Sequence, residues 1–447
     1  MRDLASRLRD IVRRDGRTTA AVPAVVDTPA RELTYEEEFE APAIAGASLA
    51  ERMGGEALDP AGACVVIDRR YPAHTSHGRH TIERCRPDVT RPIDLFDPRV
   101  SANPDWSRHV VYFDIETTGL SGGAGTVAFL VGCGWFDTDG DFTVRQFFLA
   151  GPSGEKPMLQ ALTRVFDAAS LIVTFNGRTF DVPFMETRWA FHRTAAPTDD
   201  LPHFDMLPPA RRLWGRRDLA RPDAEGCSLS ALERRVLGFH RQHDVPGFEI
   251  PARYFQFLRT GDTALVDGVL EHNRHDLVSL AAVMSHALWM VHEGPQACRE
   301  PSEQLAVGQV YERAGWLERA VDAYDLAVTL GDADVQRPAL ARLALMHRRA
   351  GRHDHAATTW QRILDLVPRG RRSLLPIERH AMEALAIHHE HRVRDLGRAR
   401  GYAEALGAAS MGRTRVDTDR RMQRLARKIE ARDAGKKLEL GYEPDEP

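Results

Sequence analysis

The chain has 447 residues, 28% of them charged, with a formal net charge of −4. That length exceeds one ordinary core and points to two or three domains, while the near balance of charge excludes a global basic field and leaves any nucleic-acid role to local patches. Five cysteines, Cys64, Cys85, Cys133, Cys227 and Cys298, form no CxxC pair and no regular spacing, which speaks against a zinc ribbon or a disulfide framework and for a reducing cytoplasm.

The opening MRDLASRLRDIVRR sets Leu4, Leu8, Ile11 and Val12 on one helical face with arginines opposite, the pattern of a short helix on a domain flank or of a surface-binding helix. It lacks the apolar core of a signal peptide, and no later run reaches spanning length, so a soluble protein without membrane contact is expected. Residues 1–107 read as a partly flexible N-terminal extension with one strand-like segment, CVVI at 64–67, and a linker, DPRVSANPDW, at its end. His74, His77 and His80 lie between Cys64 and Cys85 but match no zinc spacing, and the segment reads as a solvated loop.

From residue 108 the texture changes. VVYFDIE reads as a strand, GLSGGAGTVAFLVGCGWF as a turn and a second strand, and FTVRQFFLA as a third; their short connections require antiparallel pairing. A helix over 156–169 precedes LIVTFNG, a continuous apolar run of the kind that forms a covered parallel strand. Three strands, a helix, a strand and a helix make an α/β domain with a mixed sheet, spanning 108–292. GLSGGAGT lacks the lysine of a P-loop and the helix of a dinucleotide fingerprint, so turn geometry explains its glycines. The backbone around Thr117, Thr118 and Gly119 sits beside acids and is a candidate substrate contact.

Asp114 and Glu116 alternate onto one face of the first strand. Asp181 follows the Asn176-Gly177 turn, which would bring it to the same edge in a sheet where this strand lies next to the first, and Asn176 itself either touches substrate or shapes that turn. In EHNRHDLVSLAAVM, Leu277, Leu280, Ala281, Met284 and Leu288 mark a buried helix face, and His272 and Asp276 stack one turn apart. Four acids in one pocket repel unless hard divalent cations sit among them, and all-oxygen ligation favours Mg²⁺ or Mn²⁺ over zinc.

In that order D-I-E-T-T-G, N-x-x-x-F-D and H-x-x-x-D resemble the three exonuclease motifs of the DEDD superfamily, which has a ribonuclease H-like fold. The wider layout, with GGAGTVAFLVG, FNGRTFDVPF, HFDMLPPARRLW and the upstream RRYPAHTSHGRH, resembles the YprB group of ribonuclease H-like proteins. The resemblance implies that Asp114, Glu116, Asp181 and Asp276 ligate two metal ions, that His272 is the general base, and that the reaction is 3′–5′ exonucleolytic hydrolysis of DNA or RNA. The chain departs from the pattern in one respect: members carry Tyr four residues before the last Asp or His five before it, and here His stands at the tyrosine spacing, with His275 as a substitute base.

Downstream, Asp205 reads as a strand end or helix cap. ARRLWGRRDLAR offers Arg211, Arg212, Arg216, Arg217 and Arg221 around Trp214, either a grip on a phosphate backbone with a ring to stack on a base or a charged helix face. Over 303–412, Gly308, Tyr311, Gly315, Ala320, Tyr324 and Ala327 occupy the packing positions of a tetratricopeptide unit. Ala344, His347, Gly351, Ala356, Trp360 and Pro368 repeat them, and a degenerate copy runs from Ala384 through Ala399 to Leu406. These repeats either present a concave face to a protein partner or pack on the domain before them. The basic segment at 413–447 sets Met422, Leu425 and Ile429 on one side, as a helix capping the array does. The expected activity is that of a metal-dependent nuclease; a non-catalytic nucleic-acid-binding adaptor and a structure-selective endonuclease are the alternatives.

Overall fold

The structure, a computed structural model, describes residues 46–100, 104–119, 125–215, 226–368, 371, 373–408 and 412–439. In chain order its strands are Glu56–Ala57 (β1), Cys64–Tyr71 (β2), Ser76–His77 (β3), His80–Thr81 (β4), Val110–Thr117 (β5), Ala128–Phe136 (β6), Phe142–Leu149 (β7), Leu171–Thr174 (β8) and His203–Asp205 (β9). All but the small hairpin β3-β4 join one seven-stranded sheet, ordered β1-β2-β7-β6-β5-β8-β9. As the short connections require, β5, β6 and β7 are antiparallel neighbours, and the covered strand β8 runs parallel to β5 with β9 parallel to it in turn. The result is a mixed α/β sheet.

The helices are Gly46–Met53 (α1), Glu155–Asp167 (α2), Asp181–Phe191 (α3), Leu207–Trp214 (α4), Leu229–Leu232 (α5), Ile250–Thr260 (α6), Ala264–Glu293 (α7), and then Pro301–Ala314 (α8), Leu317–Leu330 (α9), Ala333–Arg349 (α10), His353–Asp365 (α11), Pro376–His388 (α12), Leu396–Ala408 (α13) and Gly412–Glu439 (α14). Alternation along β5 assigns them to faces. Phe113 meets Phe166 of α2 edge-on at 5.2 Å, and Phe166 meets Trp189 of α3. Tyr112, Asp114 and Glu116 point the other way, where α7 crosses the sheet.

Three expectations for the first hundred residues fail. Strand β2 pairs with β7 from Cys64↔Leu149 to Tyr71↔Phe142, so 64–71 belongs to the sheet and not to an extension. Val100 and Trp106 are buried, so the described parts of the supposed linker at 97–106 pack into the core. His77 is not solvated: it is 6% exposed, stacks on Phe239 at 3.9 Å and shares a 2.7 Å hydrogen bond with Ser279 of α7. These segments cover apolar surface that the sheet and α7 would otherwise expose. MRDLASRLRDIVRR lies outside the described residues.

A continuous apolar cluster runs from Tyr112 and Val173 through Leu277–Val291 into Leu305, Tyr311, Tyr324 and Leu343, joining the sheet domain to a helical C-terminal region. Gly308 lets α8 approach α9, since a Cβ there would lie 2.6 Å from the Tyr324 ring. Gly315 and Gly351 end α8 and the α10–α11 turn in the left-handed region that glycine tolerates. On α14, Leu425 packs with Leu396, Ala399 and Ala403 of α13, and Arg424 and Lys428 pair with the buried Glu390. Those cations are spent within the fold. Among the described residues no helix is long and apolar enough to cross a membrane.

Candidate active site

The carboxylates arrive from three elements. A register shift between Glu116 and Thr117 bulges the end of β5, a device that re-aims side chains at a strand end. Asp181 opens α3 beyond a tight turn in which Asn176 adopts φ 72°. Asp205 holds that turn, accepting from the Asn176 amide at 2.8 Å and the Arg178 amide at 3.2 Å, and it accepts from the Leu207 amide at 3.0 Å at the start of α4. Asn176 therefore has the turn-shaping role. Gly177 leaves room for the acid: a Cβ there would lie 2.6 Å from Asp181 Oδ2.

Helix α7 supplies the other side. Asn273, fully buried, donates from Nδ2 to Asp114 Oδ2 at 2.8 Å, while its Oδ1 accepts from Gln146 Nε2 at 2.8 Å. Gln146 also donates to the Leu270 carbonyl at 2.8 Å, so β7 ties the helix down beside the acid. Asn273 can enter only because Gly132, the β6 neighbour of Asp114, has no side chain; a Cβ would sit 2.3 Å from Asn273 Oδ1. Sequence reasoning missed Asn273, Gln146 and Gly132. The available signal was Gly132 inside an apolar strand, a mark of close approach.

Glu116, His272 and Asp276 each offer a ligand atom within 4.8 Å of the others. Burial, then Asp276, Glu116 and Asp181, push the Asp114 carboxyl well above the usual range, with the Asn273 amide opposing. Burial and the charges of Asp276 and Asp181 push Glu116 up to about 8; burial, Asp205 and Asp276 push Asp181 up to about 7. The four acids thus share one field. Arg241 donates from Nη2 to Asp276 Oδ1, and is itself gripped by Glu233 through bonds of 2.7 and 2.6 Å. His272 brings Nε2 to 3.3 Å from Asp276 Oδ2 and Nδ1 to 2.8 Å from Asp244 Oδ1. Sequence reasoning also missed Glu233, Arg241 and Asp244, which lie on a π-helical turn and an irregular segment without periodicity.

The remaining candidates divide. Thr117 donates its hydroxyl to the Gly119 carbonyl at 2.9 Å. Thr118 closes the loop base, its amide donating to the Val127 carbonyl and its hydroxyl accepting from the Val127 amide, both at 3.0 Å. Leu120 to Ala124 lie outside the described residues, as do Arg216, Arg217 and Arg221. Arg211 and Arg212 are both exposed, and Arg212 donates to the Phe96 carbonyl at 3.1 Å. Trp214 is no platform for a base: it is buried, stacks on His286 and donates to Glu303 Oε1 of α8 at 3.0 Å. His275 faces the edge of Phe239, and burial holds its imidazole below its usual range.

Residues 111–288 match the family model RNase_H_2, described as the RNase_H superfamily. This segment is similar to RNase_H superfamily domains. The chain is also 29% identical over 370 residues to the protein named Uncharacterized protein YprB of Bacillus subtilis (strain 168), a match that covers 81% of this chain and 85% of that one. The matched segment takes in Asp114, Glu116, Asp181, His272 and Asp276, and similarity to that superfamily suggests nuclease-like chemistry on nucleic acid, usually with divalent metals. The donor set fits such ions. Asp114, Glu116 and Asp181 are oxygen donors, each driven toward its neutral form by burial and mutual repulsion, and a hard cation among them reverses that cost.

Proposed function

We propose that this protein is a divalent-metal-dependent nuclease, a 3′–5′ exonuclease of the DEDD type that hydrolyses phosphodiester bonds of DNA or RNA. The observation that carries this reading is the charge left open at the site: among the described residues, no protein cation is paired with Asp114, Glu116 or Asp181, of which Asp181 is buried and the other two half-buried. Two Mg²⁺ or Mn²⁺ ions held by Asp114, Glu116, Asp181 and Asp276 would supply charge neutralisation for an in-line displacement at phosphorus.

The chain's own residues do the rest. Asn273 and Gln146 fix the Asp114 carboxylate, and Gly177 admits that of Asp181. His272 presents Nε2 beside Asp276, where it takes the proton of the attacking water. Arg211, exposed on α4, is positioned by its charge to meet backbone phosphate. In this reading α8 to α13 are tetratricopeptide-like pairs, supported by the Gly308–Tyr324 approach and the paired left-handed glycines, and their open face receives a protein partner.

The test is cleavage of 5′-labelled single- and double-stranded DNA and RNA with Mg²⁺ or Mn²⁺, beside EDTA and the Asp181→Asn variant. A ladder shrinking from the 3′ end is expected, absent with EDTA and reduced about 10⁴-fold or more in the variant, at or beyond the upper range for removing a general base. Discrete internal cuts replace the exonuclease by an endonuclease. A folded protein that binds metal and nucleic acid without cutting is an adaptor.

A further inference from the structure

Resting on that nuclease reading, the geometry points to Asp244 as the positioning residue of His272: its carboxylate accepts the Nδ1 proton and so leaves Nε2 as the nitrogen presented to Glu116 and Asp276. A neutral imidazole carries one proton, and the ring atom that holds it is chosen by the hydrogen bond it makes. Asp244 Oδ1 stands 2.8 Å from Nδ1. Were Nε2 the sole protonated atom, the Nδ1 lone pair would face that carboxylate at 2.8 Å, a closer meeting of two acceptors than the 3.3 Å between a bare Nε2 and Asp276 Oδ2.

The competing donor is Arg241, whose Nη1 lies 3.2 Å from the same nitrogen. It does not decide the tautomer. Its Nε and Nη2 are engaged by Glu233 and Asp276, and Nη1 reaches Asp244 Oδ1 at 3.4 Å, so the guanidinium has a carboxylate acceptor on each side without the ring. Both contacts carry charge, and the one to Asp244 is the shorter, at 2.8 Å against 3.2 Å.

The local fold is arranged for this contact. His243 takes φ 57°, an unusual conformation for a residue with a side chain, and the reversal stands directly before Asp244. Arg241 is braced from behind by Glu233, which also takes a side-chain hydrogen bond from Ser279, and Ser279 is bound to His77 at 2.7 Å. The hairpin β3-β4 thus supports the segment that aims His272, which gives a role to the histidine-rich stretch that no metal site absorbs.

The decisive measurement needs no turnover. Long-range ¹H–¹⁵N spectra of the metal-free, ¹⁵N-histidine-labelled full chain at pH 8.5, with His272 assigned by its loss in His272→Gln, read which ring nitrogen is protonated. The expected result is a protonated Nδ1 in the wild type, transfer of the proton to Nε2 in Asp244→Ala, and return to Nδ1 in Asp244→Glu. A bare Nδ1 in the wild type, or a tautomer that Asp244→Ala leaves in place, overturns the assignment. In the cleavage assay Asp244→Ala should lower kcat about 10- to 100-fold with KM retained, and Asp244→Glu should recover part of it; an unchanged kcat also overturns it. If the wild type cuts no substrate, the nuclease reading fails, and the spectra still decide whether Asp244 sets the ring.

Discussion

Glu155 and Glu116 are both glutamates drawn into the sheet domain, and the chain treats them in opposite ways. Glu155, at the start of α2 and fully buried, is gripped by Arg188 of α3 through two bonds of 2.6 Å, and His192 adds a third at 2.7 Å. Glu116 sits in the field of Asp276 and Asp181, and the distant pull of Arg241 does not prevent its rise to about 8. Two nitrogen-bearing side chains bond to one acid, whereas among the described residues its counterpart has His272 near it but no ion pair. The closed pair binds two helices together; in the proposed reading the open one is where metal charge enters. Asp276 stands between them, held by Arg241 yet reached by the same pocket.

Removing each acid separates the two arrangements. Glu155→Gln leaves Arg188 buried with its partner's charge gone, and should destabilise the protein by about 3–5 kcal/mol. Urea denaturation followed by circular dichroism measures this. A loss below about 1 kcal/mol would mean that the pair is incidental, and the contrast with Glu116 would disappear.

The next test alters the support of the open site while keeping every acid. Gly132→Ala drives a methyl against Asn273 and Leu277, so α7 must retreat and Asn273 must release Asp114. The expected cost is about 1–3 kcal/mol, as for overpacking in a close-packed interior, together with weakened cleavage. Gly125, where nothing lies within 4 Å of a built Cβ, is the control, and Gly125→Ala should change stability by no more than about 0.5 kcal/mol. Equal losses at both positions would show that glycine as such, and not the approach of α7, sets the cost.

Part of this arrangement was legible in the sequence because it obeys simple periods. Alternation placed Asp114 and Glu116 on one face, and the four-residue interval placed His272 above Asp276. The antiparallel pairing of β5, β6 and β7 followed from loop lengths. What escaped was set by tertiary contact. Asn273 stands in a run of charged and polar residues and Gln146 follows Arg145, so each looks solvent-facing, yet the two bond to each other where α7 packs on β7. Strand β2 was cut short at Ile67 because Asp68, Arg69 and Arg70 break its apolar run; they are exposed near the sheet edge, where charges are tolerated. Trp214 looked available for stacking because arginines surround it in the sequence, whereas its ring turns inward to meet α8. Arg241 and Asp244 carry no pattern at all, since a π-turn and a left-handed histidine bring them into place.

The smallest effect is also the one that reads the open charge most directly. Glu116 and Asp181 hold their protons up to about 8 and about 7 in the folded, metal-free protein, whereas an unfolded chain releases them near the ordinary carboxylate values. Between about pH 4.5 and pH 8 the native state therefore binds more protons than the unfolded state, and its stability falls as pH rises through that window. Glu116→Gln removes one of these groups, so the metal-free variant should gain about 1 kcal/mol at pH 8 and show a shallower decline, while losing cleavage. Added Mn²⁺ must displace the same protons, so it should raise the wild-type Tm more at pH 8 than at pH 5.5. Calorimetric titration at pH 7 in buffers of different ionisation enthalpy should register proton release. A metal-induced Tm shift equal at both pH values would show that Glu116 and Asp181 are already ionised without metal, and the site would then be neutralised from within, as Glu155 is.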